Sequence, residues 1–143
     1  MIIGFTGTRN GMTDAQINRV AQILEDEEPT KTIDGMCVGS DAGFALLSSG
    51  LGVYTIGYPG HSKLDEDDMT YRDPNPRDEE RESKTHFERN RDIVNECDIM
   101  IATPSGDNFD HRGGTNYTIK YALKVGKEIN IILPNGDVLN EID

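Results

Sequence analysis

Short apolar runs alternate with helix-like patterns along the whole chain. The runs typical of buried strands cover residues 2–6, 32–38, 53–58, 98–102 and 128–133. Apolar positions at helical spacing follow them at about 14–27, 39–49, 84–97 and 114–125. Strands that are apolar almost throughout, each followed by a helix, predict an α/β fold in which helices cover both faces of a parallel sheet.

We expect one Rossmann-like domain over residues 1–143, with a doubly wound parallel sheet of five strands in the order 3-2-1-4-5. Such a sheet reverses between strands 1 and 4, and ligands bind beyond the carboxyl ends of the strands near that point. The loops that could carry chemistry are therefore 7–13, 39–42 and 103–115. A long irregular acidic insertion is expected at about 59–82.

The charge of the chain is concentrated in three segments. It has 26 acidic and 14 basic residues, which give a net charge of -12. Residues 25–28, 60–82 and 137–143 carry the whole excess, and the rest of the chain balances ten acidic against ten basic residues. Since a negative surface repels phosphate backbones and anionic lipid, we expect neither duplex nucleic acid nor a membrane as partner. A small anionic ligand in a local basic pocket is compatible with this distribution.

The first loop carries Gly7, Thr8 and Arg9. Its glycines let backbone N–H groups approach a phosphate, and Arg9 follows a strand's carboxyl end, where it can make a bidentate contact with phosphate or carboxylate. A plain tight turn explains the glycines about as well.

The second loop repeats this design with Gly39, Ser40 and Asp41. The glycine permits close approach of a ligand, the serine offers a hydroxyl, and Asp41 can accept from a ribose hydroxyl. Helix capping alone explains the aspartate equally well.

The start of the last helix is the most specific of the three loops, with Arg112, Gly113, Gly114 and Thr115. Two glycines at a helix N-terminus, flanked by an arginine and a hydroxyl, are typical of an anion-binding cradle. Unusual backbone angles at the helix entry would explain the glycines, but neither Arg112 nor Thr115.

The helix predicted over 84–97 carries Glu88, Arg89, Asn90 and Arg91 in succession. A solvated, salt-bridged helix face explains the charges. Asn90 lies on the packed side, however, and a buried amide needs partners.

The remaining chemistry is sparse. Cys37 and Cys97 are expected to be buried thiols in a reducing compartment, because a lone pair is no disulfide framework. His86 and His111 lack metal-ligand spacing, so we predict neither a metal nor a cofactor. No run approaches the roughly 20 apolar residues that span a bilayer, and no leader pattern is present, so we expect a soluble cytoplasmic protein.

Four motifs in this order resemble the SLOG superfamily. They are Gly4-Phe-Thr-Gly-Thr-Arg9, Cys37-Val-Gly-Ser-Asp-Ala42, Glu88-Arg-Asn-Arg-Asp-Ile-Val94, and Gly113-Gly-Thr115 with Tyr121-Ala122. This superfamily of Rossmann-like domains includes the YpsA-like proteins, the Lonely Guy (LOG) nucleotide phosphoribohydrolases and the DNA-processing protein A domain. The chain is most similar to the small stand-alone YpsA-related members, many of them encoded by phages and so expected in the host cytoplasm.

The resemblance covers essentially the whole chain. It implies a pocket at the strand ends for a nucleotide or nucleotide-derived ligand, with residues 113–115 around a phosphate and Arg89 as an anion contact. It also implies a homo-oligomer, a dimer or larger.

The resemblance covers only part of the catalytic motif of the LOG enzymes. Those enzymes cleave an N-glycosidic bond with an arginine that matches Arg89 and a glutamate in P-G-G-x-G-T-x-x-E. In this chain Thr118 or Lys120 takes the glutamate's place, depending on which glycines anchor the motif. Neither side chain activates water as a carboxylate does. The candidates for a substitute acid are Glu88, Asp41 and Asp110.

Three functions stay open from the sequence. The leading hypothesis is a sensor or sequestering protein that binds a nucleotide, a cyclic nucleotide or an ADP-ribose-like ligand without converting it. The enzyme alternative is an N-glycosidic bond hydrolase that acts on such a ligand. The third is an interaction module whose acidic 59–82 segment mimics nucleic acid or docks a basic protein. That segment is also long enough for a lid, in which Tyr58 and Tyr71 would fold over a base.

Overall fold

The computed structural model describes residues 1–109 and 112–140, and within these ranges it contains nine strands and four helices. The strands are β1 (Ile2–Gly7), β2 (Lys31–Asp34), β3 (Tyr54–Gly57), β4 (Gly60–His61), β5 (Glu79–Glu80), β6 (Lys84–Thr85), β7 (Ile99–Thr103), β8 (Glu128–Ile132) and β9 (Val138–Leu139). The helices are α1 (Asp14–Glu27), α2 (Ser40–Gly50), α3 (His86–Glu96) and α4 (Gly114–Lys124). None of these helices is long and apolar enough to cross a membrane.

The main sheet confirms the predicted α/β class and corrects the number of strands. It has seven strands in the order β5-β3-β2-β1-β7-β8-β9, and all neighbours are parallel except β8 and β9. Its five central strands follow the predicted order. The expectation of five strands is wrong because β5 and β9 have two residues each, too few to leave an apolar run in the sequence. Strands β4 and β6 pair separately.

Helices pack on both faces of this sheet, each through its own hydrophobic cluster. On one face Val20 and Leu24 of α1 and Phe44 of α2 are buried against strand residues. On the other face α3 and α4 contribute Ile93 and Ile119. Burial of both faces explains why the central strands are apolar almost throughout.

Strand β2 ends at Asp34, four residues before the apolar pattern predicts. The Asp34 carboxylate accepts the backbone N–H of Met36 at 2.9 Å, and Met36 has a φ of +55°. This side-chain turn stops the strand. Residues 35–38 instead cross the end of the sheet, where Gly35 and Cys37 reach the cavity described below.

The acidic insertion, residues 59–82, is anchored to the body by a buried arginine. Arg77 pairs with Asp34 at 2.9 Å and with Asp73 at 3.0 Å. Asp34 is fully buried, and burial raises its pKa while hydrogen bonding to Arg77 opposes that rise. Because a buried carboxylate requires a compensating charge, the insertion is an integral part of the fold at the end of β2.

Candidate functional site

A cavity of about 770 Å³ opens at the carboxyl ends of β1, β2 and β7, beside the N-termini of α3 and α4. Its volume is within the range of small-molecule sites, about 300–1,000 Å³. It also lies where the sheet order reverses, as doubly wound folds place their ligands. Ten of the twelve residues predicted to bind a ligand line it: Gly7, Thr8, Arg9, Asp41, Arg89, Asn90, Arg112, Gly113, Gly114 and Thr115.

The other two, Gly39 and Ser40, are not in the cavity lining and instead shape the first loop. A Cβ on Gly39 would lie 2.1 Å from the Arg9 carbonyl oxygen, and the φ of +84° there favours glycine. The Ser40 backbone N–H donates to the Thr8 carbonyl oxygen at 3.0 Å. The Ser40 side chain is buried against Gly7. These two residues therefore position the loop that carries Arg9.

Residues 113–115, here called the anion cradle, begin α4 at one wall of the cavity. Gly113 caps the helix with a φ of +146° and without a side-chain hydrogen bond. The first backbone N–H groups of a helix have no intrahelical acceptor, and their partial positive charge favours phosphate or carboxylate. Thr118, at one of the two positions aligned with the LOG glutamate, donates its hydroxyl proton to the Gly114 carbonyl oxygen at 2.7 Å. That hydroxyl is therefore committed to the helix.

Arg89 places a buried guanidinium in the cavity wall. Its side chain, 6% exposed, donates to the carbonyl oxygens of Gly35 and Tyr58, to Asn90 Oδ1 and to His86 Nδ1. Within the described part of the chain, no carboxylate lies within ion-pair distance of it. A Cβ on Gly35 would lie 2.7 Å from Arg89 Nη1, so the glycine makes room for this cation. A buried cation that has no carboxylate as a direct partner attracts an anionic ligand.

Asp41 is the only carboxylate among the described residues that line the cavity. It is 6% exposed, and its Oδ2 accepts the backbone N–H of Cys37 at 3.1 Å. Burial, followed by the charge of Asp34, raises the pKa of Asp41 to about 7, although Arg89 acts in the opposite direction. Asp41 therefore exchanges its proton near neutral pH, as a general acid or base must.

Cys37 and His86 also line the cavity, although neither was predicted as a site residue. Both contact Arg89 Nη2, the sulfur at 3.8 Å and the imidazole Nδ1 at 3.1 Å. Since a guanidinium only donates, Nδ1 is the unprotonated ring nitrogen. Burial and the Arg89 charge lower the pKa of His86, whereas burial and Asp41 raise the pKa of Cys37. The Cys37 thiol therefore stays protonated, and His86 Nδ1 already accepts a hydrogen bond from Arg89. These two side chains do not form an activated nucleophile.

Of the other two candidate acids only Glu88 is described by the structure, and it does not join this cluster. Glu88 is exposed, is absent from the cavity lining, and accepts the Thr85 hydroxyl at 2.8 Å. Asp110 lies outside the described residues. Within residues 1–109 and 112–140, no group of three or more His, Cys, Asp or Glu side chains could hold a metal ion.

The cavity has a charge balance opposite to that of the chain. Its described lining holds one acidic residue, Asp41, and four basic ones: Arg9, Arg89, Arg112 and Lys120. The chain as a whole carries a net charge of -12. A local basic pocket thus lies in an acidic protein.

The acidic insertion brings one aromatic ring, that of Tyr71, to the cavity rim. The Arg9 guanidinium lies 3.7 Å from the centroid of Tyr71, which is a cation–π contact. Tyr58, by contrast, packs in the hydrophobic core and is 5% exposed. Only Tyr71 of these two tyrosines lies where it could cover a ligand.

Known proteins match this chain in fold but not in sequence. No family model matches it, and neither does any curated protein. Among the solved structures that share its fold is the molybdenum cofactor binding protein of the phototrophic bacterium Rippkaea orientalis, with a TM-score of 0.68 and 18% identity over 92% of this chain and 76% of that chain.

Two further structures share the fold. The structural-genomics target TM1055 has a TM-score of 0.63 and 13% identity over 90% of this chain and 71% of that chain. DNA processing protein A (DprA) of Streptococcus pneumoniae has a TM-score of 0.63 and 18% identity over 90% of this chain but 49% of that chain. The chain therefore shares the Rossmann-like fold of these structures, as its strand and helix pattern predicts, and at these identities the similarity establishes the fold alone.

Proposed function

We propose that this chain binds a small anionic nucleotide or nucleotide-derived ligand, such as a cyclic nucleotide or an ADP-ribose-like molecule, in the cavity at the strand ends. In this role it is a sensor or a sequestering protein. The observation that carries the proposal is that the buried Arg89 guanidinium, which forms no ion pair with any described carboxylate, lies in the same cavity as the N-terminus of α4, which has no side-chain cap.

Two independent sources of positive potential support the proposal. The anion cradle offers backbone N–H groups, and Arg89 offers a charge already removed from water. Phosphate is the group that both sources favour. Arg9 and Arg112 are exposed at the rim and attract an approaching anion. Since the surface outside the cavity is acidic, it repels a long polyanion. A small anion that fits inside the cavity avoids this repulsion.

Isothermal titration calorimetry with mono-, di- and cyclic nucleotides and ADP-ribose derivatives tests the proposal. The variant Gly113→Ala is expected to weaken binding about tenfold, because a side chain at a φ of +146° strains the cradle by about 1–3 kcal/mol. The matched control is Gly50→Ala, whose Cβ would also meet open space but whose φ is not in the strained range. Failure of every member of this panel to bind would refute the proposal.

Hydrolysis of the N-glycosidic bond is the second candidate function, and Asp41 favours it. A carboxyl with a pKa of about 7, in the cavity and near Arg89, can donate a proton to a leaving base or accept one from water. In that reaction Asp41 would replace the glutamate whose aligned positions hold Thr118 and Lys120.

Chromatography of the same ligands after incubation separates the two functions. Release of free base and ribose phosphate shows turnover, and Asp41→Asn is expected to abolish it while retaining binding. If the ligand is unchanged after long incubation with the wild-type chain, the hydrolysis proposal is refuted and the binding proposal is unaffected.

A further inference from the structure

Two of the aromatic residues that line the cavity, Phe87 and Tyr117, form a surface that we call the aromatic ledge. Phe87 lies at the start of α3 and Tyr117 at the start of α4, with ring centroids 4.6 Å apart at 58°. Phe87 is 54% exposed and is part of neither hydrophobic cluster. Core packing therefore does not account for a large apolar ring at the mouth of a basic cavity.

The ledge is held in place before any ligand arrives. The Tyr117 hydroxyl accepts a hydrogen bond from Arg91 Nη1 at 2.9 Å, and Arg91 lies one helical turn after Phe87 on α3. In the described ranges no carboxylate is within ion-pair distance of Arg91, so the tyrosine is its partner. A tyrosine ring that packs on Phe87 and is held at its hydroxyl loses little conformational freedom when a ligand stacks on it.

The ledge lies one helical turn from the anion cradle. The backbone N–H of Tyr117 donates to the Gly113 carbonyl oxygen at 3.0 Å, which closes the first turn of α4. The two residues are therefore on the same side of the helix, about 6 Å apart along its axis. In a nucleotide a ribose separates the phosphate from the base, so a phosphate on the cradle leaves the base within reach of the ledge.

We infer that Phe87 and Tyr117 form a nucleobase-stacking subsite, so that the ligand is a base-bearing nucleotide and not a base-free sugar phosphate. This inference rests on the proposed function, because it requires the phosphate to occupy the cradle. A base presents a flat π-face to an aromatic ring, whereas a sugar phosphate presents hydroxyls in every direction. Because every base has such a face, the ledge selects for a base and not for one base in particular.

The test compares AMP and ADP-ribose with ribose 5-phosphate by isothermal titration calorimetry. AMP and ADP-ribose are expected to bind about 5- to 150-fold more tightly than ribose 5-phosphate, the usual contribution of one stacked base. Phe87→Ala removes most of that difference and leaves the affinity for ribose 5-phosphate unchanged, while Phe87→Tyr restores it. Leu46→Ala is the control, because Leu46 is also apolar and exposed but lies outside the cavity lining.

Tyrosine fluorescence supplies a second measurement, because the chain has five tyrosines and no tryptophan. A base stacked on the ledge quenches Tyr117, so AMP lowers the emission and ribose 5-phosphate does not. In Tyr117→Phe the quenching by AMP is lost, although the remaining ring still binds the base.

The outcomes distinguish this inference from the function on which it rests. Equal affinities of wild-type chain for AMP and ribose 5-phosphate overturn the base subsite and leave the anion site standing. Tight AMP binding that Phe87→Ala does not weaken also overturns it. If Phe87→Ala changes only the sedimentation coefficient, the ledge serves self-association instead. If neither these three ligands nor any member of the wider nucleotide panel binds, both proposals are overturned.

Discussion

Replacing Asp41 by asparagine is expected to stabilise the fold at alkaline pH. The carboxylate is 6% exposed, lies near the buried Asp34, and has one backbone N–H donor, that of Cys37. Asparagine has nearly the same shape and keeps an oxygen to accept that N–H. The substitution therefore removes the buried charge and retains the packing.

The magnitude follows from the proton equilibrium of Asp41. Its pKa rises from the usual 3.8 to about 7, so the folded chain holds the proton more tightly than the unfolded chain does. This contribution to stability is complete below the unfolded pKa and is lost as the pH rises through the folded one. At about 1.4 kcal/mol for each pKa unit, ionised Asp41 costs the folded state about 4 kcal/mol at pH 8.

Urea unfolding followed by far-UV circular dichroism at pH 4, 6 and 8 measures the difference. Asp41→Asn is expected to unfold with nearly the wild-type free energy at pH 4 and with up to about 4 kcal/mol more at pH 8. Asp67→Asn makes the same chemical change at an exposed position and is expected to stay within about 0.5 kcal/mol of wild type at every pH.

A difference that does not change with pH would refute the reasoning, and so would an Asp41→Asn variant less stable than wild type at pH 8. If the gain is observed, the natural aspartate weakens the fold at a position where a neutral isostere would not. Residues retained at such a cost are expected at functional sites. If the chain hydrolyses its ligand, the same variant would also separate stability from turnover, since it is expected to be more stable yet inactive.

Two further substitutions test how the cavity is supported. Arg77→Met leaves Asp34 buried without its cation and is expected to lower the free energy of unfolding by about 3–5 kcal/mol in urea; Arg72→Met, outside that pair, should cost far less, and equal losses would contradict the anchoring role. Gly39→Ala puts a Cβ 2.1 Å from the Arg9 carbonyl oxygen at a φ of +84° and is expected to lower the thermal midpoint and nucleotide affinity together. An unchanged midpoint in a calorimetric scan would show that the loop is not built as described.

The elements that were predicted correctly are those specified by neighbouring residues. Thr13 and Gln16 make the reciprocal capping box at the start of α1, and both partners lie within one turn of each other in sequence. The glycine after the last helix likewise has a left-handed φ, +73° at Gly126. The apolar runs then indicated the five central strands, because each of these strands is buried on two faces.

The short strands and the end of β2 could not be predicted in this way. Strand β5 forms because the acidic insertion returns to β3, and the anchor of that insertion, Arg77, lies 43 residues from Asp34. Nothing near either residue in the sequence indicates the pair. The run 32–38 predicts a strand along its whole length, but only its first part is one. Its later residues form a turn and a cavity wall, and an apolar run alone does not distinguish these from a strand.

The α/β order, the glycine loops and ten of the twelve predicted binding residues in the cavity lining could thus be inferred from the sequence, since parallel strands bring all their carboxyl ends to one edge of the sheet. What those residues can do depends on their surroundings in the folded chain. Arg89 can be a buried cation because carbonyl oxygens from two distant segments accept hydrogen bonds from it. Asp41 titrates near neutrality because folding removes it from water beside another carboxylate. Burial and charge separation are properties of the folded chain, and no local pattern encodes them.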